Sequence, residues 1–429
     1  MARPPLLATE VPEAILAMNA GSSSLKFGLY RCPKNNEDPN VLVTGSVRDL
    51  HAASPRFQVI APDNTILIEE HWTESAPDGV IDGLLDWVKN CLGKTRLVAV
   101  GHRVVHGGME FSDPVEIDEP ILARLEALAP LAPLHQPASL APIRRIRAVR
   151  PDLRQYACFD TAFHRQMGPP ASRYALPRSF EGEGIRRYGF HGLSYESIAA
   201  QLKASGDQAV AGPASRIIVA HLGSGASLCA MHGLKSVDTT MGFSTLDGLV
   251  MGTRPGALDP GILLYLMQEK GFTAARLEQL LYRESGLLGV SGVSADVVTL
   301  LESHSPAAAE ALDLFAFQVA RQTAALAATL GGLDRFIFTG GIGEHASTVR
   351  RMVAQRLKWL GAELDEQANA TGATIISTST SSILLERRAT QEELMIARHA
   401  AAFLRKGRRS GACRAHFAVL VEAISNNAR

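Results

Sequence analysis

The 429-residue sequence lacks the features that mark secreted disulfide-rich or membrane-spanning proteins. Its five cysteines, Cys32, Cys91, Cys158, Cys229 and Cys413, are odd in number and include no C-x-x-C pair. Neither a disulfide framework nor a zinc site is therefore expected. No apolar run approaches the roughly 18 residues of a membrane span, and the N-terminal MARPPLLATEVPE has no basic region followed by a long apolar stretch. We expect a cytoplasmic protein with reduced thiols and no membrane partner.

An excess of charge of either sign is also missing. Lys and Arg number 43, Asp and Glu number 43, and the formal net charge is zero. This balance gives no reason to expect nucleic acid or a membrane surface as a partner. The chain also contains no G-x-x-x-x-G-K-[ST], no G-x-G-x-x-G after a strand, no G-x-S-x-G and no H-E-x-x-H. Any recognition of phosphate must therefore be local, and must use something other than these motifs.

What the sequence does contain is one strand-turn-strand pattern that occurs twice. The stretch NAGSSSLKF follows the apolar run AILAM, and about two hundred residues later RIIVAHLGSGASLCAM repeats the plan. A single serine-rich turn is most often only a hairpin, but the repetition indicates two related halves. Backbone N–H groups in such turns can converge on an anion. Further donors are the hydroxyls of Ser22, Ser23, Ser24, Ser224 and Ser227.

Apolar strand-like runs alternate with helical patterns along the whole chain, which predicts an α/β fold with mixed sheets. In SLAPIRRIRAVR, for example, Leu140, Ile143, Ile146 and Val149 recur at helical spacing. The length favours two domains. We predict a first domain over residues 1–160, completed by a C-terminal helix at about 393–405, and a second over residues 161–392. A basic tail of different composition follows at 406–429.

Histidines and arginines occur at the glycine-rich turns, where their side chains could reach a phosphoryl group. A single buried histidine is usually a satisfied core residue, but here several accompany glycine turns, as in GHRVVHGG and RRYGFHG. Arg103 ends an apolar strand and Arg254 lies in MGTRPGALDPG. Asp160 and Glu392 are acidic residues in similar positions, and they could bind Mg²⁺ directly or through water.

A nucleotide site made of several hairpin turns is typical of the superfamily of actin, the Hsp70 ATPase domain and the sugar kinases. Within it, NAGSSSLK, GHRVVHGG, FDTAFH, RRYGFHG, HLGSGAS, DTTMGFSTLDGLVMGTRPGALDP and TGGIGEH occur in an order that resembles the acetate kinase family. The resemblance covers about residues 14–404. It implies an α/β fold of two duplicated actin-like (ribonuclease H-like) domains. Their mixed sheets would be flanked by helices, with the active site in the interdomain cleft.

The activity that the resemblance implies is reversible transfer of the ATP γ-phosphoryl group to acetate, giving acetyl phosphate and ADP. Arg103 and Arg254 would clamp the carboxylate and the phosphoryl group. His191 would donate to the equatorial oxygens, Asp160 would orient Arg103 and the metal's water, and His135 would stabilise the arrangement beside the substrate. A homodimer is also implied.

The resemblance further implies a Mg²⁺ ion, with Mn²⁺ as an alternative, held with the help of Asn19 and Glu392. Lys26 would lie nearby on the following strand. The positions implied for the nucleotide are His221, Gly223, Ser224, Gly225, Asp296, Gly341, Ile342, Gly343, Glu344 and His345. The small apolar acetate pocket would be Val105, Leu134 and Phe190.

The chemistry fits these residue types. A carboxylate is already a nucleophile at neutral pH, so the task is to bring two anions together and to spread charge over a loose transition state. We expect direct in-line transfer without a phosphoenzyme. Many relatives carry Asn, Pro and Arg where this chain has Ser224, Thr245 and Val298, and Asn in place of Gln136. These departures leave open a kinase that prefers propionate or another short-chain acid, and a non-catalytic actin-like nucleotide switch is a further alternative.

Overall fold

The computed structural model describes residues 11–21, 24–33, 37–50, 52–73, 76–206 and 212–406. Ser22, Ser23, Cys413 and the tail beyond residue 406 lie outside the described residues. The chain divides into two compact units. Unit 1 contains the described residues of Met1–Val105, Asp113–Cys158 and Glu392–Arg429. Unit 2 contains those of His106–Ser112 and Phe159–Gln391.

Unit 1 is built on an eight-stranded sheet with the order β5-β4-β3-β2-β1-β6-β8-β7. Strands β1 to β5 are consecutive antiparallel neighbours, whereas β6 runs parallel to β1. The strands are β1 Glu13–Ala20, β2 Ser24–Arg31, β3 Asn40–Arg48, β4 Arg56–Ile60, β5 Ile66–His71, β6 Arg96–Val104, β7 Val115–Glu116 and β8 Arg154–Phe159. Seven of the eight residues of β1 are buried, because this strand is central and has helices near it. It therefore reads as a continuous apolar run instead of an alternating one.

The helices of unit 1 bury one apolar face each. Their bounds are Pro77–Leu92, Glu119–Ala127 and Gln136–Val149, a 3₁₀ turn at Ala129–Leu131, and helical residues 392–406. The predicted helix in SLAPIRRIRAVR is confirmed, with Leu140, Ile143 and Ile146 buried. Val149, expected on the same face, is 39% exposed because it is the last residue of the helix. Helix 392–406 packs on the sheet, where the Phe403 ring stacks on Tyr156 with centroids 5.0 Å apart.

Unit 2 has a five-stranded sheet with the order β11-β10-β9-β12-β13. Its strands are β9 Arg216–Leu222, β10 Ala226–His232, β11 Lys235–Thr239, β12 Arg335–Thr339 and β13 Leu384–Arg387. Strand β10 is antiparallel to both β9 and β11, whereas β12 is parallel to β9 and β13. Each predicted strand of this half, RIIVAHLG and FIFTGG, is confirmed.

Helices surround this second sheet. Their bounds are Ser179–Gly182, Gly192–Ala204, Pro260–Gln268, Ala274–Gln279, Gly286–Ser291, Val297–Glu302, Pro306–Leu330, Gly340–His345, Ser347–Arg356 and Glu366–Thr371. Short 3₁₀ turns lie at Ala162–His164 and Lys358–Leu360, and a π-helix lies at Leu280–Glu284. The helix Pro306–Leu330 buries small and apolar residues at helical spacing, among them Ala308, Ala311 and Phe315.

The two sheets share one arrangement of strands. In each, three antiparallel strands (β3-β2-β1 and β11-β10-β9) are followed by a parallel strand (β6 and β12) and a fifth neighbour (β8 and β13). Strands β1 and β2 form one hairpin and β9 and β10 form another, and these two hairpins contain the two copies of the sequence repeat. The duplicated α/β architecture is confirmed. The described chain has no helix long and apolar enough to cross a membrane, and its four described cysteines form no disulfide.

Candidate active site

The hairpin turn of unit 1 places Asn19 at the centre of a polar cluster. Ala20 pairs with Leu25, and a 2.8 Å hydrogen bond from the Gly21 N–H to the Ser24 carbonyl joins the two strands beside the turn. Asn19 precedes this turn and is 8% exposed. Its side-chain oxygen accepts from Arg103 Nη1 at 3.3 Å. Arg103 extends from the end of β6, the parallel neighbour of β1.

Two adjacent carboxylates complete this cluster. The amide nitrogen of Asn19 donates to Glu392 Oε2 at 2.8 Å and to Glu393 Oε1 at 3.3 Å. Burial raises the pKa of the Glu393 carboxyl, the charge of Glu392 raises it further, and Lys26 opposes both effects. We call Asn19, Arg103, Glu392 and Glu393 the carboxylate cluster. The sequence interpretation missed Glu393, although its place beside Glu392 in TQEEL was a signal.

The carboxylate cluster fits Mg²⁺ better than a softer metal. Two carboxylates and an amide oxygen are hard oxygen donors, and a cation would offset the repulsion that raises the pKa of Glu393. Among the described residues, no group of three or more His, Cys, Asp or Glu side chains could hold a metal. Mg²⁺ in phosphoryl-transfer sites is commonly held by one or two carboxylates, waters and the substrate phosphates, which is the arrangement that this cluster allows.

The other candidate residues of unit 1 lie around the same edge of the sheet or on a neighbouring helix. Lys26 pairs with Asn19 across the hairpin and is exposed. Val105 is buried at 2% exposure and follows β6. His135 is the N-cap residue of helix Gln136–Val149, and Leu134 precedes it; both are partly buried. The candidate residues of unit 1 therefore combine the guanidinium of Arg103, the carboxylates of Glu392 and Glu393, and apolar side chains.

The hairpin turn of unit 2 joins β9 to β10. Leu222 pairs with Ala226, and the Gly223 N–H donates to the Gly225 carbonyl at 3.0 Å. Ser224 at the tip is exposed, and its carbonyl accepts from the Gly252 N–H at 3.2 Å. A Cβ at Gly225 would lie 2.8 Å from Arg254 Nη2 and 3.1 Å from His191 Nε2. The turn therefore lies directly beside a guanidinium and an imidazole, and glycine is needed for this close approach.

His191 is held in an uncommon backbone conformation. Its φ is 58°, in the left-handed region that bulky residues rarely adopt. The next residue, Gly192, donates its N–H to the main-chain oxygen of Asp160 at 3.0 Å, and a Cβ at Gly192 would lie 2.0 Å from that oxygen. Asp160 is completely buried. The loop that carries His191 is thus fixed against Asp160 of the same unit. Backbone strain like that of His191 is typical of functional sites.

A chain of hydroxyls orients the His191 ring. Tyr195 is one helical turn after His191, and its hydroxyl lies 2.5 Å from Ser227 Oγ, which lies 2.8 Å from His191 Nδ1. Burial raises the pKa of Tyr195 well above its ordinary value, so its hydroxyl keeps its proton. When Ser227 donates to Nδ1, the ring carries a proton on Nε2. That nitrogen is the one nearest Gly225 and can donate to an anion there.

His221 belongs to the same group. Its ring stacks on that of His191 with centroids 4.3 Å apart, and its Nδ1 is 2.8 Å from Ser194 Oγ. Arg254 Nη1 donates to the Thr245 carbonyl at 2.8 Å, which leaves Nη2 beside the turn. We call His191, His221 and Arg254, together with the turn 223–225, the basic cluster. It brings together the histidines and the arginine that the sequence indicated in this half of the chain.

The remaining candidate nucleotide residues lie near the ends of β12 and of another helix. Gly340–His345, which contains Gly341, Ile342 and Gly343, is a short helix after β12. Within it, the Glu344 carboxylate accepts from the backbone N–H groups of Gly340 and Thr390, each at 3.1 Å. Asp296 caps helix Val297–Glu302 by accepting from the Thr299 N–H at 2.9 Å. Both carboxylates thus accept hydrogen bonds from backbone N–H groups.

One buried arginine was not anticipated. Arg350 is 1% exposed, and its guanidinium donates to the carbonyls of Gly343 and Glu344, each at 3.0 Å, and to Asn369 Oδ1 at 2.7 Å. Burial lowers its pKa to about 10. Arg350 therefore satisfies the C-terminal carbonyls of helix Gly340–His345. Its sequence context, TVRRM, gives no sign of this role.

Two histidines of the glycine-rich motifs are core residues. His102 Nε2 bonds to Gln155 Oε1 at 2.8 Å, and His164 bonds through both nitrogens to Ser236 and to the Phe190 carbonyl. Burial lowers the pKa of each to about 4, so both are neutral near pH 7. These two histidines are therefore satisfied core residues, as a single buried histidine usually is. Phe190, a candidate for the acetate pocket, is 1% exposed beside the His106 ring, with centroids 5.6 Å apart.

Comparison with known proteins agrees with this fold. The model of the acetokinase family matches residues 14–398. An acetate kinase of Rhodopseudomonas palustris is 48% identical over 390 residues, which cover 90% of this chain and 97% of that protein. The crystal structure of Porphyromonas gingivalis acetate kinase is 35% identical, with a TM-score of 0.78 and coverage of 91% and 100%. That of a propionate kinase from Francisella tularensis is 37% identical, with a TM-score of 0.81 and coverage of 90% and 98%.

The fold and the two clusters define a duplicated α/β protein of the phosphotransferase kind. The chain belongs to the acetokinase family. The resemblance seen in its motifs is thereby confirmed, as is the class of enzyme, a kinase that transfers phosphate to a carboxylate.

Proposed function

We propose that the protein is an acetate kinase that transfers the γ-phosphoryl group of ATP reversibly to acetate, giving acetyl phosphate and ADP. The observation that carries this proposal is the pair of clusters on duplicated hairpins. One presents carboxylates beside Asn19, and the other presents Arg254 and the His191 Nε2 beside an open glycine turn. A kinase acting on a carboxylate needs both, because it must hold a cation and stabilise a transferring anion. We place the enzyme in the cytoplasm.

The basic cluster would act on the phosphoryl group during transfer. Arg254 presents Nη2 next to Gly225, and the hydroxyl chain from Tyr195 orients the His191 ring so that Nε2 can donate. Negative charge on the equatorial oxygens increases with these donors already in place, so little reorganisation is needed. Arg103 would bind the carboxylate of acetate, with Val105, Leu134 and Phe190 as apolar contacts for its methyl group. His135 would support this arrangement, and Asp160 would fix the His191 loop and orient Arg103.

The roles that we assign at the metal and nucleotide follow the same positions. Asn19 and Glu392 would hold Mg²⁺, with Mn²⁺ as the alternative ion. When bound, the cation would neutralise charge on the nucleotide phosphates. Lys26 would add positive charge on the adjacent strand. His221, Gly223, Ser224 and Gly225 would contact the ATP phosphates. Asp296 and Gly341, Ile342, Gly343, Glu344 and His345 would border the adenosine.

Transfer is direct and in line in this proposal, because the acceptor carboxylate is itself the nucleophile. A phosphorylated enzyme is not required. Trapping with hydroxylamine tests the reaction, since it converts acetyl phosphate into a hydroxamate. We expect hydroxamate from acetate and MgATP, and none without acetate or without Mg²⁺. Failure to form any hydroxamate from acetate would overturn the proposal, and ATP hydrolysis alone would favour the actin-like nucleotide switch.

Propionate remains a second candidate substrate, because a propionate kinase is a similar solved structure and Thr245 departs from the usual Pro. Kinetics with formate, acetate, propionate and butyrate separate the candidates. We expect the highest kcat/KM with acetate. A maximum at propionate would change the substrate but not the class of reaction.

A homodimer is the oligomer that we propose. Helix Pro260–Gln268 has no buried residue, and Ile262, Leu264, Tyr265 and Met267 are 45 to 55% exposed. An apolar helix of this kind on a kinase surface favours burial against a second copy. Light scattering should give twice the chain mass. Leu264→Asp should give monomers, whereas Leu67→Asp on the exposed strand β5 should leave the dimer intact.

A further inference from the structure

The short stretch of backbone that carries Arg254, residues 251–254, contacts the hairpin turn of unit 2 at two points. We call this stretch the arginine strip. The Gly252 N–H donates to the Ser224 carbonyl at 3.2 Å, and a Cβ at Gly225 would lie 2.8 Å from Arg254 Nη2. The position of the arginine strip therefore sets the separation between the turn and the guanidinium.

A later segment, residues 280–288, packs against the arginine strip through its main chain. Gly286 has a φ of 65°, and a Cβ there would lie 2.2 Å from the Met251 carbonyl oxygen. The Leu287 N–H donates to that carbonyl at 2.9 Å. Because these contacts use main-chain atoms, they do not depend on the side chains of the strip.

The side chain of Thr253 also joins the arginine strip to this segment. Thr253 Oγ1 donates to the main-chain carbonyl of Tyr282 at 2.7 Å, and the Ser285 N–H donates to the Thr253 carbonyl at 3.1 Å. Tyr282 lies in the π-helix Leu280–Glu284, a form of helix that often occurs at functional sites. The residue immediately before Arg254 is thus held through both its hydroxyl and its carbonyl.

The other restraints on Arg254 lie after it in the chain and at the tip of its side chain. Pro255 has a fixed φ and disfavours helical backbone at the residue before it. At the tip, Arg254 Nη1 donates to the Thr245 carbonyl at 2.8 Å. The hydroxyl of Thr253 therefore supplies the side-chain restraint on the N-terminal side of Arg254.

We propose that Thr253 is a positioning residue for phosphoryl transfer, because its hydrogen bond to the Tyr282 carbonyl fixes the Arg254 guanidinium relative to the hairpin turn. The inference rests on the proposed function of Arg254. Anchoring the preceding residue limits rotation of the main chain at Arg254, and so limits displacement of Nη2 from the turn. A guanidinium that is already in place when charge develops on the transferring group needs little reorganisation.

The test is Thr253→Val, which keeps the branched shape of the side chain and removes the hydroxyl. We expect kcat to fall about 3- to 10-fold, the effect of one hydrogen bond, while the KM for ATP changes less than about two-fold. Thr253→Ser keeps the oxygen and should recover kcat to within about two-fold of the wild type.

Thr323→Val is the matched control. The buried Thr323 Oγ1 also donates to a main-chain carbonyl, that of Val319 at 2.8 Å, but this hydrogen bond lies within the helix Pro306–Leu330. Its loss removes the same kind of interaction without releasing the arginine strip. We therefore expect kcat of Thr323→Val to equal that of the wild type.

A double variant distinguishes positioning from general loss of structure. Once Arg254 is replaced by Ala, the Thr253 hydroxyl has no guanidinium to position, so adding Thr253→Val should change the remaining kcat less than about two-fold. Independent structural damage would instead multiply with the loss from Arg254→Ala.

Several outcomes would overturn the inference. They are an unchanged kcat in Thr253→Val, a loss that Thr253→Ser does not recover, an equal loss in Thr323→Val, or a loss that persists in full in the Arg254→Ala background. Thermal melting of each variant shows whether it is folded. If Thr253→Val does not fold, Thr253→Ala decides the matter through the same comparisons.

A second measurement keeps the inference distinct from the proposed function. If the wild-type protein phosphorylates no carboxylic acid, the proposed function fails. Hydrogen–deuterium exchange of the arginine strip then tests the anchoring alone, since the Met251 N–H donates to the Arg254 carbonyl at 3.0 Å within it. Faster exchange there in Thr253→Val than in Thr323→Val supports the positioning role, and equal exchange overturns it.

Discussion

The two hairpins at the centre of the units have the same construction and opposite chemistry. In unit 1, the residue before the turn is Asn19, and its amide binds Arg103 and two carboxylates. In unit 2, the corresponding residue is His221, which stacks on His191 in a group that includes Arg254. The same strand order supports both.

The difference shows how a duplicated backbone can serve two charges. The hairpin fixes where a side chain leaves the sheet, and the elements around it determine what surrounds that side chain. Helix 392–406 supplies acids beside Asn19, whereas the loops that carry His191 and Arg254 supply imidazole and guanidinium beside Gly225. A cation and an anion can therefore be held by related turns.

Removing the guanidinium of the basic cluster should have the largest effect. We expect Arg254→Ala to lower kcat about 10³-fold, the scale observed when a positive group is lost from a phosphoryl-transfer site. Arg254→Lys should recover only part of this, because a point charge cannot replace the planar fork. Arg103→Ala should cost a similar factor. Steady-state kinetics of folded variants measure all three.

Arg351→Ala is the control for these arginine changes, since Arg351 forms an exposed ion pair with Glu366. It should leave kcat unchanged. Normal turnover in Arg254→Ala would show that phosphoryl transfer does not occur at the basic cluster.

Neutralising the carboxylate cluster should have the next largest effect. Glu392→Gln keeps an oxygen that can accept from Asn19 but removes the charge. We expect the Mg²⁺ concentration for half-maximal activity to rise about 10- to 100-fold, as measured by titration at fixed ATP. Glu119→Gln, at a surface ion pair with Arg147, is the control. An unchanged Mg²⁺ requirement in Glu392→Gln would assign the metal elsewhere.

Enlarging the side chain at the tip of the turn 223–225 should have a small effect on binding. Ser224 is exposed at the tip, and it donates one hydrogen bond but reaches less far than the Asn of many relatives. We expect Ser224→Asn to lower the KM for ATP or acetyl phosphate by the value of one hydrogen bond, roughly 0.5 to 1.5 kcal/mol. The KM for acetate should hardly change. A shift confined to acetate would mean that this turn does not hold phosphate.

The smallest effect is expected from removing residues 407–429. The family match ends at residue 398, and helix 392–406 packs on unit 1 before this tail begins. Neither cluster includes a residue of the tail. We expect kcat of the truncated protein to stay within a few-fold of the full chain. A large loss of kcat in a truncation with an unchanged melting temperature would contradict this.

Much of the site was predictable because its motifs are local. Each glycine turn is adjacent in the sequence to the strand that precedes it, which was enough to indicate His221. His191 and Arg254 were indicated by glycine-containing motifs of their own, RRYGFHG and MGTRPGALDPG. The π-helix of Tyr282 was not predictable in this way. It has no periodic signature, and the hydrogen bond from Thr253 Oγ1 to the Tyr282 carbonyl joins loops that are separate in the sequence.

The sequence by itself determined the strand-turn-strand repeat, the central strands and the identity of the candidate charges, because each follows from residue type at short spacing. Only the tertiary structure decided which charges meet. Asn19 and Glu392 are 373 residues apart and yet share a 2.8 Å hydrogen bond. Arg350 is buried against helix Gly340–His345, and His102 and His164 are neutral core residues. Burial and hydrogen bonding arise from packing between distant segments, and packing fixes a side chain's partners and protonation in a way that local pattern does not encode.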